Sequence, residues 1–234
     1  MLAREIGLPI SLEHCYRFLV LLPLEASERT EALKHYFGIT QSRELIARGI
    51  EIRRHDAPNF IKEFQTELLY ALFNCRDSAE VLSKGYEKAL LLLTRTIDKL
   101  MTGSIELQDL VVSKLLGQRL DEYKSLFPHV SAAIQLAIKG KSTPVGEGVK
   151  YVFTNTRDTN PLNRVTPREL IKEQQDPEYD KEKYREILLE AAETVLGYFG
   201  FDRTDYGDPA STKHTKWWSP FAEERIRDRD VERI

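Results

Sequence analysis

The sequence predicts an α+β protein in which a small antiparallel β region precedes a mainly helical region. The first 57 residues hold short apolar or alternating segments, joined by polar turns that are too short to contain crossover helices. After Ala57 and Pro58, apolar residues recur at helical spacing. We therefore place a boundary at residue 57 and treat 207–234 as a separate polar tail.

The β region is predicted to contain three strands, at 10–24, 33–39 and 45–54. The first is mostly apolar, which predicts that it is covered on both faces. The third is interrupted at Gly49. A helix that ends at Gly7 and Pro9 is expected before them, as if the chain opened in the middle of a fold.

The helical region begins at Pro58, a residue that suits the first turn of a helix. Further helices are predicted at 78–101, 128–138 and 180–200. Asp77 and Ser78 are candidate N-caps, and Tyr179, Tyr184 and Tyr198 are expected to pack the last helix. A strand is predicted at 149–154, a short helix at 167–173 after a Thr166 cap, and 110–116 is ambiguous between strand and helix.

Composition limits the possible functions. The chain has 234 residues, of which 41% are hydrophobic and 30% charged, as in a folded protein. A net charge of −3 excludes a uniformly basic nucleic-acid coat protein, but it does not exclude a local basic patch. Two cysteines cannot build a disulfide framework, and no apolar run approaches the roughly 20 residues that span a bilayer. We expect a cytoplasmic protein that does not contact a membrane.

Several kinds of catalytic site are absent from the sequence. It lacks a G-x-S-x-G nucleophile motif, and its histidines stand singly without metal-ligand spacing. His14 and Cys15 are adjacent on a predicted strand, so their side chains point to opposite faces. Gly146 and Gly148 precede a strand, which favours a hairpin turn over a phosphate-binding loop.

Basic residues gather in two places that could contact a phosphate backbone. Lys34 and Tyr36 lie two apart on one strand, hence on one face, and Arg48, Arg53 and Arg54 belong to the third strand and the segment after it. The alternative is an ordinary solvated strand face.

The second basic cluster runs from 139 to 168. It has six basic residues against Glu147 and Asp158, and the alternative is an ordinary polar surface. The six are Lys139, Lys141, Lys150, Arg157, Arg164 and Arg168.

Several segments, in order, resemble the C-terminal part of archaeal family B DNA polymerases. LEHCYRFLV (12–20) resembles a strand of the palm, and Lys34-His35-Tyr36 matches its K-x-Y motif. The segment 47–69 resembles the crossing from palm to thumb, which reads RG-x-E-x-x-R-R-D before a helix. Tyr123 with Pro128-His129-Val130, the loop and strand from Pro144, and the helix within 179–201 resemble the thumb.

The resemblance implies a division of labour along the chain. Residues 1–57 would be the C-terminal portion of the palm and 58–206 the thumb, which holds the primer–template DNA through its phosphates. Asp56 would orient Arg53 or Arg54 by an ion pair. The expected DNA-binding residues are Lys34, Tyr36, Arg48, Arg53, Arg54, His129, Lys141, Lys150 and Arg164.

The sequence lacks the motifs that carry the family's chemistry. D-x-x-S-L-Y-P, D-T-D and K-x-x-x-N-S-x-Y-G do not occur in it, so two-metal phosphoryl transfer has no aspartate ligands. The resemblance therefore implies the small subunit of a split polymerase, which is inactive alone and completed by a large catalytic subunit. No catalytic residue and no metal ligand are expected here, and magnesium (Mg2+) would bind only in the assembled enzyme. Glu13 is a candidate supporting carboxylate or, equally, a strand residue paired with a local cation.

Two alternative functions and the role of the tail remain open. The chain could be a polymerase-derived DNA-binding or structural protein without an active partner, or a helical adaptor. In the tail, KHTKWWSPF is a degenerate form of the box that binds a sliding clamp. Trp217 and Trp218 could instead dock on the chain's own body or on another partner.

Overall fold

A computed structural model describes residues 12–23, 31–174 and 178–207. The chain divides into two compact units, Met1–Ile50 and Glu51–Ile234, and each is treated by itself. The predicted N-terminal helix and Trp217-Trp218 lie outside the described residues.

The described part of the first unit holds a three-stranded antiparallel sheet with the order β1-β2-β3. Its strands are β1 (Tyr16–Pro23), β2 (Glu31–Thr40) and β3 (Leu45–Arg48). Phe37 and Ile39 on β2 are buried. The meander predicted from short polar connections is confirmed, because β2 pairs with both of its sequence neighbours.

Two expectations for this unit are wrong. The first strand is not covered on both faces, because Leu19 and Leu21 are 44% and 48% exposed. The third strand does not continue to residue 54. Gly49 turns the chain with a left-handed φ of 74°, and a 3-10 turn follows at Glu51–Arg53.

Helices dominate the described part of the second unit. They are α1 (Asn59–Phe73), α2 (Tyr86–Met101), α3 (Pro128–Ile138) and α4 (Lys181–Leu196). The apolar stripe predicted for the first helix is buried, with Ile61, Leu68 and Leu72 fully inaccessible. The helices α1, α2 and α4 each pack against the other two. None of the described helices is both long and apolar enough to cross a membrane.

The helix predicted at 78–101 is divided. Asp77 caps its start by accepting a hydrogen bond from the Glu80 amide at 2.8 Å. Val81–Gly85 then forms a π-helical turn before α2 begins. At Gly85 the helix passes so close to α1 that a Cβ atom would lie 2.3 Å from the Leu72 carbonyl oxygen. This approach is a tertiary contact that local periodicity cannot reveal.

A second antiparallel sheet completes the described fold, with the order β4-β5-β6. Its strands are β4 (Val112–Leu115), β5 (Gly148–Phe153) and β6 (Val165–Pro167). The ambiguous segment is thus a strand. The loop before β5 makes a turn but not a hairpin, because β5 pairs with β4, which precedes α3.

Thr166 does not cap a helix. It is buried in β6 opposite Val152, and the predicted helix after it is a pair of 3-10 turns, Arg168–Leu170 and Lys172–Gln174.

Two of the three tyrosines expected to pack the last helix carry buried hydrogen bonds. Tyr184 Oη donates to the Leu110 carbonyl at 2.6 Å and accepts from the Phe153 amide at 3.1 Å. Tyr179 Oη donates to the Leu100 carbonyl at 2.7 Å. Burial raises the pKa of Tyr184 far above its ordinary value, so this phenol stays a neutral donor. Tyr198 is half-buried.

We predict that Gly85→Ala destabilises the chain by about 1–3 kcal/mol, because the added methyl group would force α2 away from the Leu72 carbonyl. Urea unfolding measures the change. Gly197→Ala is the matched control, since the nearest atom there is 3.6 Å away and the backbone is already helical. The control should be neutral or stabilising by up to about 1 kcal/mol. Equal effects at both positions would contradict the close approach at Gly85.

Candidate nucleic-acid interface

The sheet of the first unit brings together two of the predicted DNA-binding residues. Tyr36 and Arg48 are direct cross-strand partners on β2 and β3, so their side chains share one face. Arg48 is exposed and Tyr36 is half-buried. Lys34 belongs to the same strand as Tyr36, two residues earlier, but its side chain lies outside the described part of the chain.

A second phenol, which the sequence did not single out, stands beside Tyr36. A Cβ atom on Gly38 would lie 3.0 Å from the Tyr16 ring, so the absence of a side chain there gives the ring its place on the sheet. Burial, followed by the charge and a hydrogen bond of Tyr36, raises the pKa of Tyr16. Glu13 is exposed, and its charge also acts on Tyr16. The sheet thus carries two neighbouring phenols, Tyr16 and Tyr36.

The second unit carries an ordered arginine–carboxylate pair. Arg54 Nε and Nη2 donate to the two oxygens of Asp56 at 2.9 and 2.8 Å. Of the two arginines expected to pair with Asp56, Arg54 is the one that does so. The hydrogen bonds that Arg54 donates lower the pKa of Asp56 and raise the pKa of Arg54. Arg53 is exposed at the end of the 3-10 turn.

Asp56 also connects this pair to the second sheet. Its carbonyl oxygen accepts a hydrogen bond from the Ser113 amide at 3.4 Å, and Lys114 Nζ lies 4.0 Å from its carboxylate. Burial, assisted by the charge of Asp56, raises the pKa of the nearby Tyr151 to about 12. Lys114 is therefore a further cation of this surface. The sequence did not single it out, because alternation of polar and apolar residues over a strand of only four residues is a weak pattern.

His129 lies in the first turn of α3 between two aromatic rings. The Tyr123 ring meets it edge-on at 5.8 Å, and the Phe127 ring stacks at 5.9 Å. Burial and then the charge of Lys114 lower the pKa of His129. The lowered pKa favours the neutral imidazole at pH 7, which can meet a phosphate as a hydrogen-bond donor.

The basic cluster at 139–168 is less positive in space than in sequence. Lys139 and Lys141 both lie 3.6 Å from the carboxylate of Glu173, which falls outside that window. Arg164 Nε donates to the Asp158 carbonyl at 2.7 Å and holds its own loop together. Lys150 is exposed on β5, opposite Ser113.

The described residues contain no group of three histidine, cysteine, aspartate or glutamate side chains that could hold a metal ion. They provide exposed cations, phenols and the imidazole of His129. Such groups suit contacts with a sugar–phosphate backbone.

We predict that Asp56→Asn lowers the free energy of unfolding by up to about 1 kcal/mol at pH 7, because the pair is partly exposed. The folded pKa of Asp56 is lowered, so its contribution is present above the unfolded value of about 3.9 and disappears as pH falls through the folded value. Urea unfolding of both proteins between pH 7 and about pH 3 tests this. A difference between them that did not shrink towards acid would contradict it.

Comparison with known proteins identifies the family. Residues 30–198 match the model described as "DNA polymerase family B". A DNA polymerase of Thermococcus aggregans is 28% identical over 178 residues, which cover 74% of this chain and 9% of the relative. A DNA polymerase of Pyrococcus glycovorans is 30% identical over 176 residues, which cover 74% of this chain and 21% of the relative. The chain thus spans only a small part of these relatives.

A solved structure agrees in fold. The family B DNA polymerase of the hyperthermophilic archaeon Pyrobaculum calidifontis superimposes with a TM-score of 0.64 at 22% identity, over 86% of this chain and 24% of that one. The mixed fold of small antiparallel sheets and helices is therefore that of a family B polymerase structure. Because the family model covers most of the sequence, this chain belongs to DNA polymerase family B.

Proposed function

We propose that this chain is the non-catalytic small subunit of a two-chain DNA-directed DNA polymerase. It would grip the primer–template duplex through phosphate contacts, while a large subunit supplies the catalytic aspartates. One observation carries the proposal. The family match covers 30–198, yet the 234 residues contain none of the aspartate motifs of the active site. Two-metal phosphoryl transfer cannot proceed without carboxylates that hold the ions.

The contribution of this chain is then binding and orientation. Residues 1–57 would form the C-terminal portion of the palm and 58–206 the thumb. Magnesium would belong to the assembled enzyme, and Glu13 would at most support its site from this side. Phosphate contacts fix the position and direction of a duplex without reading its sequence, which is what copying any template requires.

Arg53 and Arg54 are the strongest candidates for these contacts in the second unit. Both are exposed, and Lys114 adds a third cation near Asp56. Asp56 uses the Nε proton and one of the two Nη2 protons of Arg54, so both protons of Nη1 and the second proton of Nη2 can meet phosphate oxygens.

We predict that Arg53→Ala with Arg54→Ala weakens duplex binding and flattens its dependence on salt. Each phosphate contact contributes a slope of about −0.9 in log affinity against log salt, so the change should lie between about 1 and 2. Fluorescence anisotropy with a primer–template across a salt series measures both quantities.

The matched control removes two exposed cations elsewhere. Arg76→Ala with Lys84→Ala deletes the partners of Glu80, which lie in and before the π-helical turn. Its salt slope should equal that of the wild type. An unchanged salt slope in the Arg53/Arg54 variant would contradict the assignment of these two arginines as phosphate contacts.

The proposed partner has a candidate docking edge in the first unit. β1 is the outer strand of the described order β1-β2-β3, and it carries the exposed Leu19 and Leu21. Exposed apolar side chains on an outer strand mark a surface that another chain can cover. We propose that the large subunit binds there, in the cytoplasm. A sliding clamp as a further partner would depend on 207–234.

We predict that primer extension requires this chain and a large family B polypeptide together, because neither holds the complete site. Co-expression, co-purification and extension assays with each chain alone and with both are the measurement. Leu19→Lys with Leu21→Lys should abolish association, since two charges would have to be buried at the edge. Leu91→Lys, on an exposed position of α2, is the control and should associate normally.

The same assays distinguish the proposed small-subunit function from a second candidate function. A polymerase-derived DNA-binding protein without an active partner would bind duplex with the predicted salt dependence but would restore extension to no large chain. Failure to bind duplex at low salt would remove both candidates and leave the helical adaptor.

A further inference from the structure

A fully buried glutamine is hydrogen-bonded to the 3-10 turn Glu51–Arg53, which carries Arg53 and directly precedes Arg54; we call it the arginine-bearing turn. Gln65 of α1 is 0% exposed, and each of its amide atoms is used. Its Oε1 accepts a hydrogen bond from the Ile52 amide at 3.0 Å. Its Nε2 donates to the Glu51 carboxylate at 2.5 Å and to the Ala191 carbonyl of α4 at 2.9 Å. One side chain therefore joins the 3-10 turn to two helices.

Glu51 gives the turn a second anchor. Its other oxygen lies 3.3 Å from Thr194 Oγ1 on α4, whose single hydroxyl proton is shared with the Glu190 carbonyl at 3.1 Å. The Arg54 amide then donates to the Glu51 carbonyl at 3.0 Å and closes the turn. The backbone from which Arg53 and Arg54 emerge is thus fixed, although both side chains are exposed.

Packing alone does not call for an amide at position 65. An apolar side chain of similar volume would fill the same space without hydrogen-bonding requirements. The amide instead gives direction, because its acceptor and its two donor hydrogens meet three partners of fixed orientation. A long cationic side chain on a rigid backbone segment loses less conformational entropy when it binds than one on a mobile segment.

We propose that Gln65 and Glu51 form a lock that positions Arg53 and Arg54 for phosphate contact, with Gln65 as a positioning residue. The inference rests on the proposed duplex-binding function of this chain. It assigns to Glu51 and Gln65 a role that acts only through the two arginines.

The test uses Gln65→Met in the full chain, which keeps the volume of the side chain and removes its three hydrogen bonds. Duplex affinity is measured across a salt series at a temperature where every variant is folded. We expect affinity to fall about tenfold and the salt slope to flatten by about 1, as if one phosphate contact were lost. Amide hydrogen exchange at Ile52 should accelerate, since its acceptor is gone.

Further variants distinguish positioning from simple destabilisation. Tyr179→Phe removes another buried hydrogen bond, to the Leu100 carbonyl, and should leave affinity and slope unchanged. Gln65→Met in the Arg53→Ala, Arg54→Ala background should cost no further affinity, because the lock then has nothing to position. Glu51→Gln and Glu51→Ala both remove the charge of Glu51, but only the first keeps an acceptor oxygen for Gln65 Nε2. Affinity and slope should therefore be lower in Glu51→Ala than in Glu51→Gln.

The outcomes are separable. If the wild type binds duplex but Gln65→Met changes neither slope nor affinity, or weakens binding equally without the arginines, the lock is overturned and the proposed function stands. If the wild type shows no salt-dependent binding, the proposed function itself fails and the lock fails with it. If Gln65→Met does not fold, the two variants of the half-buried Glu51 decide. Lower affinity and a flatter slope in Glu51→Ala than in Glu51→Gln support the lock, and equal values overturn it.

Discussion

The second unit depends on the polar atoms that α4 presents to its neighbours inside the core. Tyr184 ties the helix to the segment before β4 and to β5, each through a backbone group. About two turns further along α4, the Ala191 carbonyl contacts Gln65, and Thr194 contacts Glu51. Burying polar groups is favourable only when each has a partner, so these bonds select one arrangement of helix, sheet and turn. The position of the arginine-bearing turn is fixed by that arrangement, because Glu51 and Ile52 of the turn bond to Gln65.

This dependence explains which parts of the fold the sequence could predict. Helices with a buried apolar stripe, such as α1, are readable from spacing because the stripe is local. The π-helical turn before α2 is not readable, because its cause is the approach of Gly85 to Leu72 on another helix. Thr166 resembles a cap in sequence, yet β6 buries it beside β5, since pairing of distant strands overrides a local preference.

The candidate interface was predictable to a similar extent. Arg54 and Asp56 stand two residues apart, so their ion pair follows from short-range chemistry. The sequence did not single out Tyr16 and Lys114, because each lies beside a partner far along the chain, Tyr36 in the first unit and Asp56 in the second. Lys141 and Arg164 looked like available cations in sequence. Their spatial partners, Glu173 and the Asp158 carbonyl, became visible only in the fold.

Pairing of cations with carboxylates has a consequence for how such a surface can hold DNA. A carboxylate beside Arg54 weakens its attraction for a distant phosphate, but it also fixes the plane of the guanidinium. The chain carries a net charge of −3, so long-range attraction from the whole molecule is small. If the proposed function is correct, binding relies on cations that are already oriented when the duplex arrives. Such contacts would lose little entropy on binding and would not depend on base sequence.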